Sequence, residues 1–132
     1  AYCQICYSPK LGILQPKGRF MKLNHLGITV TDTVAARNFL EKYFGLEGIG
    51  KNNAKMTHVR DDDGLILSLF KGDKITEPQT THIGFMQDSE AKVDEIYQRL
   101  NEDSFEVEPP QHSHGYTFYV IAPGGFMVEV VC

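Results

Sequence analysis

Three residues could do chemistry together: His25, His82 and Glu129. The tetrad His25-Leu26-Gly27-Ile28 recurs as His82-Ile83-Gly84-Phe85, 57 residues further along the chain. Glu129 interrupts an apolar strand pattern, flanked by Met127, Val128, Val130 and Val131. A single strand histidine is most often structural or superficial, and a single strand glutamate is most often solvated. Two imidazoles at equivalent points of a repeat change that balance, because an unpaired carboxylate among valines would be costly to desolvate. Joint coordination of one divalent metal ion accounts for all three. Two imidazoles and a carboxylate are the facial ligand set of Fe(II), Mn(II), Zn(II) or Ni(II), with positions left open for a substrate. A second cluster, Cys3-Gln-Ile-Cys6, lacks another ligand pair and any following helix pattern with a basic residue, so its spacing is a weak sign of zinc or redox chemistry.

The elements that must position these residues follow from the same repeat. After the first histidine, Asp32 is the expected N-cap of a helix with Ala36, Phe39, Leu40 and Tyr43 on its apolar stripe, stopped by Gly45. After the second, Ser89 caps a stripe of Val93, Ile96, Tyr97 and Leu100, the spacing of a helix packed on a sheet. Each half then reads as three short strands, near 47–52, 55–61 and 64–71 and near 105–108, 114–121 and 126–131. Asp61-Asp62-Asp63-Gly64 and Ala122-Pro123-Gly124-Gly125 are the expected turns, and 72–79 is the linker. The fold class is therefore α+β, two βαβββ modules at 21–72 and 80–132 in one domain. Residues 1–20 lack the charged and apolar regions of a secretory signal and are expected to be a dispensable extension, with Met21 as the natural start.

Strand alternation decides which side chains share a face. Leu26, Ile28 and Val30 point toward the helices, which puts His25, Gly27 and Thr29 on the other side. His82, Gly84 and Met86 repeat that second face, and Met127, Glu129 and Val131 share it. Two imidazoles, a carboxylate and glycines make a poor core and a good cavity.

Composition excludes several classes of partner. The 132 residues are 42% hydrophobic and 23% charged, which fits one globular domain. A net charge of −4, without a block of Lys or Arg, disfavours nucleic acid and anionic lipid. No apolar run approaches the roughly 20 residues of a membrane span. Three cysteines, Cys3, Cys6 and Cys132, form no disulfide framework and fit a cytoplasmic protein. The expected ligand is a small molecule.

The stretches Asn24-His25-Leu26-Gly27-Ile28-Thr29-Val30, Thr81-His82-Ile83-Gly84-Phe85 and Ala122-Pro123-Gly124-Gly125-Phe126-Met127-Val128-Glu129 resemble the vicinal oxygen chelate superfamily over residues 21–132. That superfamily includes glyoxalase I, extradiol dioxygenases, methylmalonyl-CoA epimerase, and fosfomycin- and bleomycin-resistance proteins. The resemblance implies an incomplete barrel around a divalent ion that polarises two neighbouring oxygens of a substrate. The family's ligand positions map onto His25, Ser68, His82 and Glu129. Ser68 departs from the carboxylate of the four-ligand lyase and epimerase, which lowers the weight of both activities. Gly27 replaces the Thr of fosfomycin-resistance proteins, and no Arg precedes Glu129. Bleomycin-binding members generally lack the metal triad that is kept here.

The extradiol pattern is matched in order and spacing by His112, Phe118, Tyr119, Ala122, Pro123, Gly125 and Glu129, with Pro110 departing at its start. The resemblance thus implies a ring-cleaving dioxygenase first, with His112 and Tyr119 as catalytic groups, and a glyoxalase-like lyase or isomerase as the alternative. A resistance-type transferase or binding protein is a further alternative. Gly27, Ser68, Thr117 and Met127 are expected to line the substrate. His58 and His114 receive no role. Open sheet edges and a half-covered cavity predict a homodimer, and whether the modules pair within or between chains stays open.

Overall fold

The computed structural model describes residues 23–75 and 80–132. Cys3, Cys6, residues 1–20, Met21 and residues 76–79 of the linker, with Pro78, lie outside the described residues.

Two halves repeat one plan. The first runs β1 (His25–Val30), α1 (Thr33–Phe44), β2 (Glu47–Ile49), β3 (Met56–Arg60) and β4 (Ile66–Lys71). The second runs β5 (His82–Met86), α2 (Glu90–Glu102), β6 (Gln111–His112), β7 (Tyr116–Ile121) and β8 (Met127–Val131). The sheets have the orders β1-β4-β3-β2 and β5-β8-β7-β6. In each, the first strand pairs in parallel with the last, and the remaining pairs are antiparallel. The α+β reading as two βαβββ modules holds.

The helix ends form where local chemistry puts them. Asp32 Oδ1 accepts from the Ala35 amide at 2.9 Å, and Gly45 adopts φ +66° so that its amide returns to Glu41 and Leu40 carbonyls. Ser89 caps α2 through the Lys92 amide. The apolar stripes Ala36, Phe39, Leu40, Tyr43 and Val93, Ile96, Leu100 are buried in one continuous core with Val59, Leu69, Phe118, Val128 and Val130. That core spans both modules. Phe44 stacks on Phe85 with centroids 4.1 Å apart, and Phe39 meets Phe105 at 5.4 Å. At the rim, Asp103 accepts from Lys42 Nζ at 2.9 Å and Tyr43 OH at 2.5 Å, and Arg99 donates to the Lys42 carbonyl.

One expected strand is displaced. Residues 105–108 are not a strand, and the pairing with β7 begins only at Gln111. Pro109 and Pro110 remove two amide donors just before that point, while Phe105 turns into the aromatic cluster of α1. The strand expected at 47–52 is likewise shorter, three residues long.

Each helix covers one face of its sheet. The opposite faces are left uncovered by the chain's own helices, and they expose Phe70 (44%), Met86 (43%) and Ile121 (56%).

Candidate metal and substrate site

Glu129 is the focus of the second uncovered face. Parallel pairing puts it beside Gly84 on β5, and antiparallel pairing puts it opposite Tyr119 on β7. Only 6% of the residue is exposed. Its Oε1 accepts from Thr117 Oγ1 at 2.8 Å and Tyr119 OH at 3.0 Å, and lies 2.5 Å from His114 Nε2. Its Oε2 lies 3.1 Å from His82 Nε2. Burial pushes the Glu129 carboxyl up, but hydrogen bonds from Thr117, Tyr119 and His114 outweigh it and hold the group below the ordinary glutamate range. The carboxylate is therefore ionised at neutral pH. Burial, followed by the bond to Glu129, raises the Tyr119 phenol and keeps it a donor.

The tautomer of His82 gives the site its chemical meaning. His82 Nδ1 is 2.8 Å from the Thr80 carbonyl, which can only accept, so the ring proton lies on Nδ1. Nε2 then faces an ionised carboxylate oxygen at 3.1 Å. That pairing needs a cation or a proton between the two atoms. A backbone carbonyl on the far nitrogen is also the usual outer support of a metal-bound imidazole. His25 is built alike: its Nδ1 lies 3.1 Å from Asn24 Oδ1, and its ring is exposed. The donor atoms of His82 and Glu129 are of the kind that a divalent ion takes, and they lie side by side.

His25 does not join the other two within one chain. Among the described residues no three His, Cys, Asp or Glu side chains converge closely enough to hold a metal ion. His25 lies on the uncovered face of the first sheet, while β1 meets the second module at its other end, where the Thr31 amide donates to the Gly124 carbonyl at 2.9 Å.

The remaining candidates divide. Tyr119 reaches the carboxylate. His112 does not: it pairs with Tyr116, whose hydroxyl bonds Asp94 of α2, and its Nε2 lies 3.8 Å from Glu90 at the start of α2. The register of β6 on β7 turns it to the helix side. The imidazole beside Glu129 is instead His114, two residues on, which sequence reasoning passed over. Odd and even positions of a strand face opposite ways, but 112 and 114 straddle a turn, so alternation gave no signal there. Thr117 commits its hydroxyl to Glu129 and Val130 O, making it an orienting residue. Ser68 bonds His58, Oγ to Nδ1 at 2.9 Å. Gly27 and Met127 line a cleft of about 480 Å³ between β1 and β5, with Ile28, Ile75, His82 and Phe126. No helix among the described residues is long and apolar enough to cross a membrane.

The comparisons with known proteins agree with this architecture. A family model described as the Glyoxalase/Bleomycin resistance protein/Dioxygenase superfamily matches residues 22–130. The solved structure of a possible glyoxalase from Bacillus cereus is 56% identical, with a TM-score of 0.81 over 86% of this chain and all of that one. The fosfomycin resistance protein FosX from Listeria monocytogenes, solved with Mn(II) and sulfate, is 23% identical with a TM-score of 0.71, covering 86% of this chain and 90% of that one. A probable trivalent organoarsenical cleaving enzyme of Bacillus subtilis (strain 168) is 29% identical over 85 residues, 64% of this chain. The matched region spans 58% of that curated relative.

Proposed function

Because the chain belongs to the glyoxalase/bleomycin resistance protein/dioxygenase superfamily, we propose that it is a metal-dependent enzyme whose substrate is a small molecule with two vicinal oxygens. The observation that carries this reading is the His82 Nε2 3.1 Å from an ionised, triply hydrogen-bonded Glu129, with Nδ1 held by the Thr80 carbonyl. His82, Glu129 and His25 would hold one divalent ion. Bound there, it supplies Lewis-acid polarisation of the two substrate oxygens. Fe(II), Mn(II), Zn(II) and Ni(II) all suit the donor set, and the Mn(II) of the FosX structure is a ready probe.

The active unit is a homodimer. In one chain His25 and the His82–Glu129 pair lie on different uncovered faces, each fringed by exposed apolar side chains. A second copy supplies the missing imidazole and covers both faces.

The first reaction assigned is extradiol-type ring cleavage. Three ligands rather than four favour it over a glyoxalase-type lyase, since Ser68 stands where a fourth carboxylate ligand would be and its hydroxyl is engaged by His58. Tyr119 and His114, rather than His112, hold protons beside Glu129 in a position to orient the carboxylate and a bound phenolate. The similarity to the possible glyoxalase supports the lyase as second reading. The test is activity of Fe(II)-loaded protein with a catechol panel, read as oxygen uptake and a yellow ring-fission product. Turnover of hemithioacetals without oxygen, and no oxygen uptake with any catechol, would replace ring cleavage with the lyase.

A further inference from the structure

The first sheet carries a polar pair that the metal site does not use. His58 on β3 and Ser68 on β4 are register partners, both half-buried, with Nδ1 2.9 Å from Oγ. They lie on the uncovered face that also carries His25, because Ser68 is in register with Gly27 of β1, two residues from His25. Gly27 has no side chain to cover the serine. A Cβ there would meet only the Phe70 ring, at 3.1 Å, so an aromatic ring lies beside Gly27 on this face. Ile49 is in register with His58 on its other side, so the imidazole is flanked by one apolar and one hydroxyl neighbour. Arg60 and Glu47, the charged residues of that face, are satisfied by each other at 2.8 Å.

A hydroxyl held by an imidazole is a relay for protons. We propose that Ser68 and His58 are the proton-accepting pair for the substrate bound beside His25, with the Ser68 hydroxyl touching the substrate and His58 acting through it. With the imidazole proton on Nε2, Nδ1 accepts from Ser68. The substrate O–H bond breaks, its proton passes to Ser68 Oγ, and the serine proton passes to His58 Nδ1. An oxyanion and an imidazolium result, and no electrons are exchanged. The pair thereby does the work of the carboxylate that position 68 lacks, by a side chain one strand further away. This assignment rests on the two-copy metal site and adds to it the base.

The test uses full-length protein loaded with Mn(II) and 4-nitrocatechol, a probe with two vicinal oxygens whose colour reports its own ionisation. His58→Gln and Ser68→Ala are expected to bind Mn(II) within twofold of wild type, since neither residue is a ligand. In both, the pH midpoint for ionising the bound probe should rise by about one unit. Ser68→Thr, which keeps the hydroxyl, should restore the wild-type midpoint. Variants with unaltered Mn(II) affinity and an unaltered midpoint overturn the relay alone. Wild-type protein that binds Mn(II) without ionising the probe also overturns it. Wild-type protein that binds no Mn(II) overturns the metal site and the relay with it.

Discussion

Removing a single hydroxyl should weaken metal binding without opening a hole. Thr117 is 6% exposed, and its Oγ1 lies 2.8 Å from Glu129 Oε1 and 2.9 Å from the Val130 carbonyl. One hydroxyl proton serves one acceptor at a time, and the ionised carboxylate is the stronger. Thr117→Val keeps the shape and β-branching of the side chain, so the loss is confined to this donor. A hydrogen bond to a charged group contributes about 1.5–3 kcal/mol. While it is made, Oε1 has three partners and Oε2 is presented beside His82; without it only the half-exposed Tyr119 and His114 hold that oxygen. Loss of such an outer support typically costs 10–100-fold in metal affinity, or about 1.4–2.7 kcal/mol. Mn(II) titration followed by electron paramagnetic resonance should show that weakening, with thermal melting by circular dichroism as the check on folding. Tyr119→Phe should weaken binding less, because the tyrosine is 40% exposed and water can replace its hydroxyl. A folded Thr117→Val protein that binds Mn(II) within twofold of wild type would refute the orienting role.

Four other outcomes are expected. His82→Ala should lose Mn(II) binding altogether in isothermal titration, since two remaining ligands cannot fix the geometry; stoichiometric binding at wild-type affinity would remove His82 from the site. Sedimentation equilibrium at micromolar concentration should give twice the 14.9 kDa of one chain, and a monomer alone would reject the shared site. Phe39→Ala, at the centre of the ring cluster joining the modules, should cost about 3–5 kcal/mol in urea denaturation, and a loss below about 1 kcal/mol would show that the cluster is not central. Hydrogen bonds from Lys42 and Tyr43 hold the Asp103 carboxyl below the ordinary aspartate value of about 3.9. Its stabilisation is present above that value and lost as pH falls through the lower folded value, so the melting difference between wild type and Asp103→Asn should shrink in acid and be largest near neutrality.

Local signals were sufficient for much of this molecule. The two helices begin at Asp32 and Ser89 and the first ends at Gly45 because caps act within four residues, a range that sequence displays directly. The repeated His-x-Gly tetrad and the alternation around Glu129 made the shared face legible, since a strand's two sides are fixed by parity alone. Where the chain turns, parity fails. His112 and His114 differ by two positions, yet β6 ends at the first and the second lies in the turn before β7, so one faces α2 and the other reaches Glu129. Pro109 and Pro110 foretold a break, but not that pairing would resume at Gln111. The partnership of His58 with Ser68 needed the β3–β4 register, ten residues apart across a hairpin. The separation of His25 from His82 and Glu129 depended on something still less local. It follows from how the two modules share one core, because a packed aromatic cluster joins them while His25 and Glu129 stay on different sheets, and no spacing along the chain encodes that.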